Sequence, residues 1–216
     1  MPWDPTETIR RTLWIGGGQW SGKTTVSALL AARHGLTFYS YDYHDARGHH
    51  DRRTAARVRR GGPIDAPPIG VDWENSTPDQ LAEAVIASFP ERFEWVLDDL
   101  RALITPCRMI ADGWGLRPEL VAPVTDDLRQ MVVLAPTDAF RALQATRLER
   151  SRSPVQAARD RLVAQDAIRT ARELGIRVIE VDGSRTAEQV ADTVSAHFSP
   201  FLDQSPGGLP RARTHR

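Results

Sequence analysis

The chain has 216 residues, with 28 basic and 28 acidic side chains and a formal net charge of zero. At roughly 150 residues per domain, that length predicts one domain or slightly more. Hydrophobic residues at 41% and charged residues at 26% exclude a collagen-like, fully disordered or disulfide-scaffold chain. The neutral charge speaks against bulk binding to nucleic acid or a membrane.

No apolar run reaches the ~18 residues of a membrane helix, and Met1 to Arg11 carries no apolar signal core. With Cys107 as the single cysteine, no intrachain disulfide can form, and the expected compartment is the cytoplasm. Of the 28 basic residues, 27 are Arg, and the one lysine is Lys23.

Thr12-Leu13-Trp14-Ile15 reads as a buried strand that runs into Gly17-Gly18-Gln19-Trp20-Ser21-Gly22-Lys23-Thr24, followed by Thr25. Every fixed position of the phosphate-binding pattern G-x-x-x-x-G-K-[ST] is filled. Thr24 to Gly35 then reads as a helix, with Val26, Leu29 and Leu30 inward and Gly35 as C-cap. In such a loop the backbone N–H groups of residues 17–25 turn toward phosphate oxygens, and the helix N-terminus favours their charge. A lysine bridges β- and γ-phosphates as a compact charge, which the planar guanidinium fork does not do. The Thr24 hydroxyl is the expected ligand of Mg²⁺.

Leu36 to Tyr41 is the second strand and ends at Asp42. A carboxylate at the C-terminal end of a strand in this sheet can face the γ-phosphate. Asp42 is therefore a general base for an acceptor hydroxyl or a ligand of a Mg²⁺-bound water, against the plainer role of a cap; Asp45 is a lesser alternative. Residues 44–62 are dense in His, Asp and Arg, match no metal-ligand spacing, and read as a solvated segment. Two helices follow, one opened by Thr77-Pro78-Asp79-Gln80 and one over Glu91 to Leu103, as a cover for the acceptor.

Cys107 to Ala111 is the third strand, and Asp112 after it stands where a carboxylate holds a Mg²⁺ water. Arg117 and a short helix over Glu119 to Ala122 come next. Gln130 to Ala135 is the fourth strand. A helix capped by Thr137 and Asp138 runs to Glu149, and another over Val155 to Leu174 carries Arg159 and Arg161. Arg147, Arg150 and Arg152 sit at the elbow between them, where a mobile lid could bring charge to a transferring phosphate. Ile176 to Val181 is the fifth strand, Asp182-Gly183-Ser184 turns into a helix over Thr186 to Phe198, and residues 199–216 read as a disordered tail.

The order of these features resembles the small-molecule and nucleotide kinases of the P-loop NTPase superfamily, with the adenylate kinase-like group as the architectural match. The resemblance implies a three-layer α/β fold over residues 10–198 with a parallel sheet of order 2-3-1-4-5. An acceptor-side insert over 43–104 and a lid over 147–161 belong to the same expectation. It implies use of ATP and Mg²⁺, with Gly17, Gly22, Lys23 and Thr24 at the phosphates and Asp42 at the acceptor. Arg147 and Arg150 are similar to lid arginines that stack on adenine and touch phosphate, and Asp182-Gly183-Ser184 to the loop beside the base. Arg117 is similar to the arginine beyond the Asp-Gly of nucleotide kinases, with one extra residue between. The expected activity is transfer of the γ-phosphate to a small-molecule or nucleotide acceptor, with an ATP-binding or ATPase module that transfers nothing as the alternative.

Overall fold

The computed structural model describes residues 3–65, 71, 72, 74–148 and 153–202. Five strands form one parallel sheet: β1 (Leu13–Gly17), β2 (Thr37–Ser40), β3 (Met109–Asp112), β4 (Met131–Pro136) and β5 (Arg177–Val181). Their order is β2-β3-β1-β4-β5, the order expected of the P-loop kinases. Trp14 pairs with Ala111 on one side and Met131 on the other, and Ile15 pairs with Asp112 and Val132.

Both faces of the sheet are covered, so the central strands are apolar throughout rather than alternating. On one face Trp14, Met131 and Val133 pack with Phe93, Val96 and Leu100 of α4 (Pro78–Ala102) and Ala171 of α7 (Pro154–Glu173). On the other, Leu13, Ile15, Val132 and Leu134 pack with Val26 and Leu30 of α1 (Lys23–His34) and Val194 and Phe198 of α8 (Ala187–Leu202). The short helices are α2 (Tyr41–His44), α3 (His50–Arg59), α5 (Pro118–Val121) and α6 (Asp138–Arg147). Among the described residues no helix is long and apolar enough to cross a membrane.

Several elements depart from the sequence expectation. The two insert helices are one helix, α4, which runs through Pro90. A proline inside a helix removes a hydrogen bond and crowds the preceding turn. Here Val85, Phe89, Phe93 and Val96 form one buried stripe on both sides of Pro90, which itself is exposed, and their burial outweighs that penalty. The start of α4 is as expected: Thr77 accepts from Gln80 N–H, and the Gln80 side chain accepts from Thr77 N–H at 2.9 Å.

The segment expected to be solvated is helical and, apart from His49, has no buried residue. A π-helical turn over Asp45–His49 joins α2 to α3, and His49 is buried. Asp99 of α4 holds it there, accepting from Tyr39 Oη at 2.9 Å, pairing with His49 Nε2 at 2.8 Å, and receiving Arg52 at 3.2 Å. These partners lie some 50 to 60 residues away in sequence, beyond the reach of a local pattern. Helix α8 continues to Leu202, so residues 199–202, expected in the tail, are its last turn, with Phe201 packed on the core. The rest of that tail lies outside the described residues.

Candidate functional site

The site begins where β1 ends. Gly17 has φ of 124°, and a Cβ there would lie 2.2 Å from the Leu134 carbonyl oxygen, so only glycine lets the loop leave the sheet at this point. Gly22, also left-handed at φ 82°, precedes α1 and starts that helix with Lys23. Between them Trp20 holds φ of 61°, a conformation that costs a bulky side chain on the order of 1–2 kcal/mol.

Lys23 is buried and donates from Nζ to the Gly18 carbonyl at 2.7 Å. Burial pushes its ammonium pKa down, against the opposing pull of the Asp42 and Asp112 carboxylates. Thr24 donates its hydroxyl to Asp112 Oδ2 at 2.7 Å. Asp112 is fully buried at the end of β3, and its Oδ1 has no hydrogen bond of normal geometry, although Ser40 stands close enough to steady the charge. Burial raises the Asp112 pKa, with Asp42 adding to the rise and Thr24 and Lys23 opposing it. A hydroxyl and a carboxylate oxygen side by side, with a second carboxylate oxygen unsatisfied, are the hard oxygen donors that suit Mg²⁺.

Asp42 lies one residue into α2, just past β2, rather than inside the strand. It opens to the cleft and accepts from the Trp114 backbone N–H at 3.1 Å. Loss of hydration in the cleft raises its pKa; Lys23 and the Trp114 N–H oppose the rise, and Asp45 adds to it. The bond to Trp114 depends on Gly113 and Gly115. A Cβ on Gly113 would lie 2.5 Å from Tyr41 Cβ, and one on Gly115 would lie 2.3 Å from Tyr41 Cζ. Glycine at both positions lets this loop close on Tyr41, the neighbour of Asp42.

These residues share one cavity of about 560 Å³, lined by Gln19, Trp20, Gly22, Lys23, Thr24, Thr25 and Asp42, together with Ala46 and Trp114. The size falls within the range of small-molecule sites. A second cavity of about 560 Å³ adjoins the same loop. Trp20, Ser21, Gly22 and Thr25 form its floor, Phe140, Gln144 and Arg147 of α6 one wall, and Gly183 and Ser184 the other. Trp20 thus lines both. Asp182 does not line the second cavity; its carboxylate accepts from Ser184 N–H at 2.9 Å and Ser184 Oγ at 2.6 Å and shapes the turn.

Several expected residues do other work or stand elsewhere. Arg150 and Arg152 lie outside the described residues. Arg117 is buried and donates to Glu119 at 2.9 Å, to the Val163 carbonyl at 3.1 Å and to Asp166, so it ties α5 to α7. On α7, Arg159 pairs with Asp160 at 2.5 Å and Arg161 with Asp138 at 2.6 Å. No group of three His, Cys, Asp or Glu able to hold a metal occurs among the described residues. Trp114 and Ala46 were not legible as site residues. The Gly-Trp-Gly spacing around Trp114 was the one local signal for the first, and the second needed the π-helical turn.

No protein-family model and no curated protein matches the chain. Among solved structures, it is similar to a shikimate kinase from Acinetobacter baumannii in complex with shikimate, at 18% identity over 90% of this chain and 96% of that one, with a TM-score of 0.49. A gluconokinase from Sinorhizobium meliloti 1021 is similar at 13% identity over 90% and 94%, with a TM-score of 0.47. A dephospho-CoA kinase from Campylobacter jejuni is similar at 12% identity over 89% and 98%, with a TM-score of 0.46. At such identities none of their acceptors transfers to this chain.

Proposed function

We propose that the protein is an ATP-dependent phosphotransferase that moves the γ-phosphate of Mg²⁺·ATP to an acceptor hydroxyl. The observation that carries this reading is the placement of Lys23, Thr24 and Asp42 around one cavity, with Asp112 bonded to Thr24 beneath it. An ATP-binding module needs the loop and the lysine. It does not need a second, solvent-accessible carboxylate facing the same space.

The geometry supports one division of labour. The loop N–H groups and Lys23 bind the β- and γ-phosphates, and Lys23 leaves the Gly18 carbonyl for them. Thr24 and Asp112 would hold Mg²⁺, which when bound offsets charge on the phosphates. The cavity between α6 and the Gly183-Ser184 turn takes the nucleoside, with Arg147 at the base. Asp42, fixed by Trp114 N–H, orients the acceptor hydroxyl and takes its proton as the oxygen–phosphorus bond forms and the bond to the ADP oxygen breaks. Arg150 remains part of the proposal as a lid cation.

The test is ADP release from wild-type protein across a broad acceptor panel, with phosphate release measured in parallel. Acceptor-dependent ADP release without free phosphate is the expected result. Steady phosphate release that no acceptor alters would replace this reading with the ATPase one.

A further inference from the structure

Among the described residues that line the acceptor side of the cleft, one is charged, and it is negative. Beyond the phosphate loop, the cavity that holds Lys23 is lined by Asp42, Ala46 and Trp114. An acceptor that brings an oxygen to the γ-phosphate lies against these three. The Trp114 ring is held in place by Phe89, edge-on with centroids 5.1 Å apart, and by the Arg159 guanidinium 6.0 Å from its centroid. A tryptophan fixed in this way offers a flat apolar surface at low entropic cost to whatever rests on it.

Several arginines on the elements around this wall are engaged by acids or rings. Arg53 donates to Asp45 Oδ1 at 2.6 Å, and Arg92 approaches Asp45 Oδ2 at 3.6 Å. These side chains are only 5% to 15% exposed, so freeing either arginine for a ligand would weaken a buried pairing. Arg159 pairs with Asp160, and Arg117 with Glu119 and Asp166. Arg47, which follows Ala46, lies over the Tyr43 ring at 4.1 Å. Among the described residues, no guanidinium lines this wall. An acid or phosphate monoester placed here would stand beside Asp42, with Lys23 already taken by the nucleotide.

From this we infer that the acceptor is an uncharged, polyhydroxylated ring compound, one apolar face on Trp114 and one hydroxyl on Asp42. The inference rests on the phosphotransfer reading above and deepens it. Recognition is by shape and hydrogen bonding, and a carboxylate or phosphate on the ring is rejected by Asp42.

The experiment uses matched pairs with the full chain in the presence of Mg²⁺·ADP: hexose against hexuronate, nucleoside against its 5′-monophosphate, cyclitol against its carboxylated analogue. Binding is read by thermal shift and titration, and turnover by ADP release with ATP. The expected result is that an uncharged member binds at least tenfold more tightly than its acidic counterpart. Ala46→Arg, a change at an exposed position, should narrow that gap by placing a cation on the wall. Tighter binding of the acidic member, or no response to either member of any pair, overturns the inference. Binding of ADP on the same preparation is read first. Its failure would bring down the broader phosphotransfer reading, whereas ADP binding with a preference for acids would bring down this inference alone.

Discussion

Thr24 Oγ1 donates to Asp112 Oδ2 at 2.7 Å, joining the end of the phosphate loop to the end of β3 across 88 residues of sequence. The bond holds because β1 and β3 are hydrogen-bonded neighbours, with Ile15 opposite Asp112. Removing the hydroxyl leaves a buried carboxylate oxygen without its donor, a loss of about 1–3 kcal/mol. Thr24→Ala should therefore unfold at lower temperature and need more Mg²⁺ for half-maximal activity. Thr24→Ser, which keeps the donor, should restore both. Magnesium titrations alongside thermal melts of the two variants check this.

The Asp42 pKa is raised above the ordinary aspartate value of about 3.9, chiefly by loss of hydration. As a base it works only when ionised, so kcat/KM should rise with pH through that raised pKa and level off above it. The acid limb then lies at higher pH than a free aspartate would give. Asp42→Asn keeps an acceptor for Trp114 N–H but cannot take a proton; turnover should fall roughly 100- to 10,000-fold and the limb should vanish. A pH–rate profile of both proteins decides it. An unchanged limb in the variant would remove Asp42 from the reaction.

Pro90 offers a test of the fold apart from the chemistry. It lies inside α4 on the exposed side of a helix held by Phe89 and Phe93. Alanine restores a backbone donor and relieves the crowded turn, while the unfolded chain gains freedom in return. Pro90→Ala should raise stability by about 1–2 kcal/mol, or roughly 2–8 °C in Tm, with turnover unaltered. Calorimetry of the variant measures it.

Trp20 sits in a left-handed conformation and lines both cavities of the site. Nucleotide entering either space changes the surroundings of its indole. Mg²⁺·ATP should shift the protein's tryptophan emission, and most of that shift should be absent in Trp20→Phe. Fluorescence titration of the two proteins gives the answer.

How far the sequence carried this picture follows from the range of each signal. The phosphate-loop pattern was legible because it is local: Gly17, Gly22, Lys23 and Thr24 fall within eight consecutive residues. Asp112 was legible as a carboxylate at the end of a fully buried apolar strand, and Asp42 as the acid that follows the β-rich run of the edge strand β2. The tie that Arg117 makes between α5 and α7 was not legible because its partners, Val163 and Asp166, come from a helix more than forty residues away. The helical nature of residues 41–59 was hidden for the same reason, since Asp99 supplies the anchor from α4. Trp114 escaped notice because its tie to Asp42 is a backbone N–H from a loop 72 residues away, with the Gly-Trp-Gly spacing as the one local signal.

The central claim is that Lys23 and Asp42 act on one transferred phosphate from two sides of one cavity. The direct measurement is acceptor-dependent ADP release together with Mg²⁺·ATP affinity in wild-type, Lys23→Ala and Asp42→Asn proteins. Lys23→Ala should bind ATP more weakly and lose turnover by roughly 100- to 1,000-fold, as expected for removal of a donor that stabilises transition-state charge. Asp42→Asn should lose turnover while still binding Mg²⁺·ATP. Wild-type turnover in Asp42→Asn, or full activity in Lys23→Ala, would contradict the account.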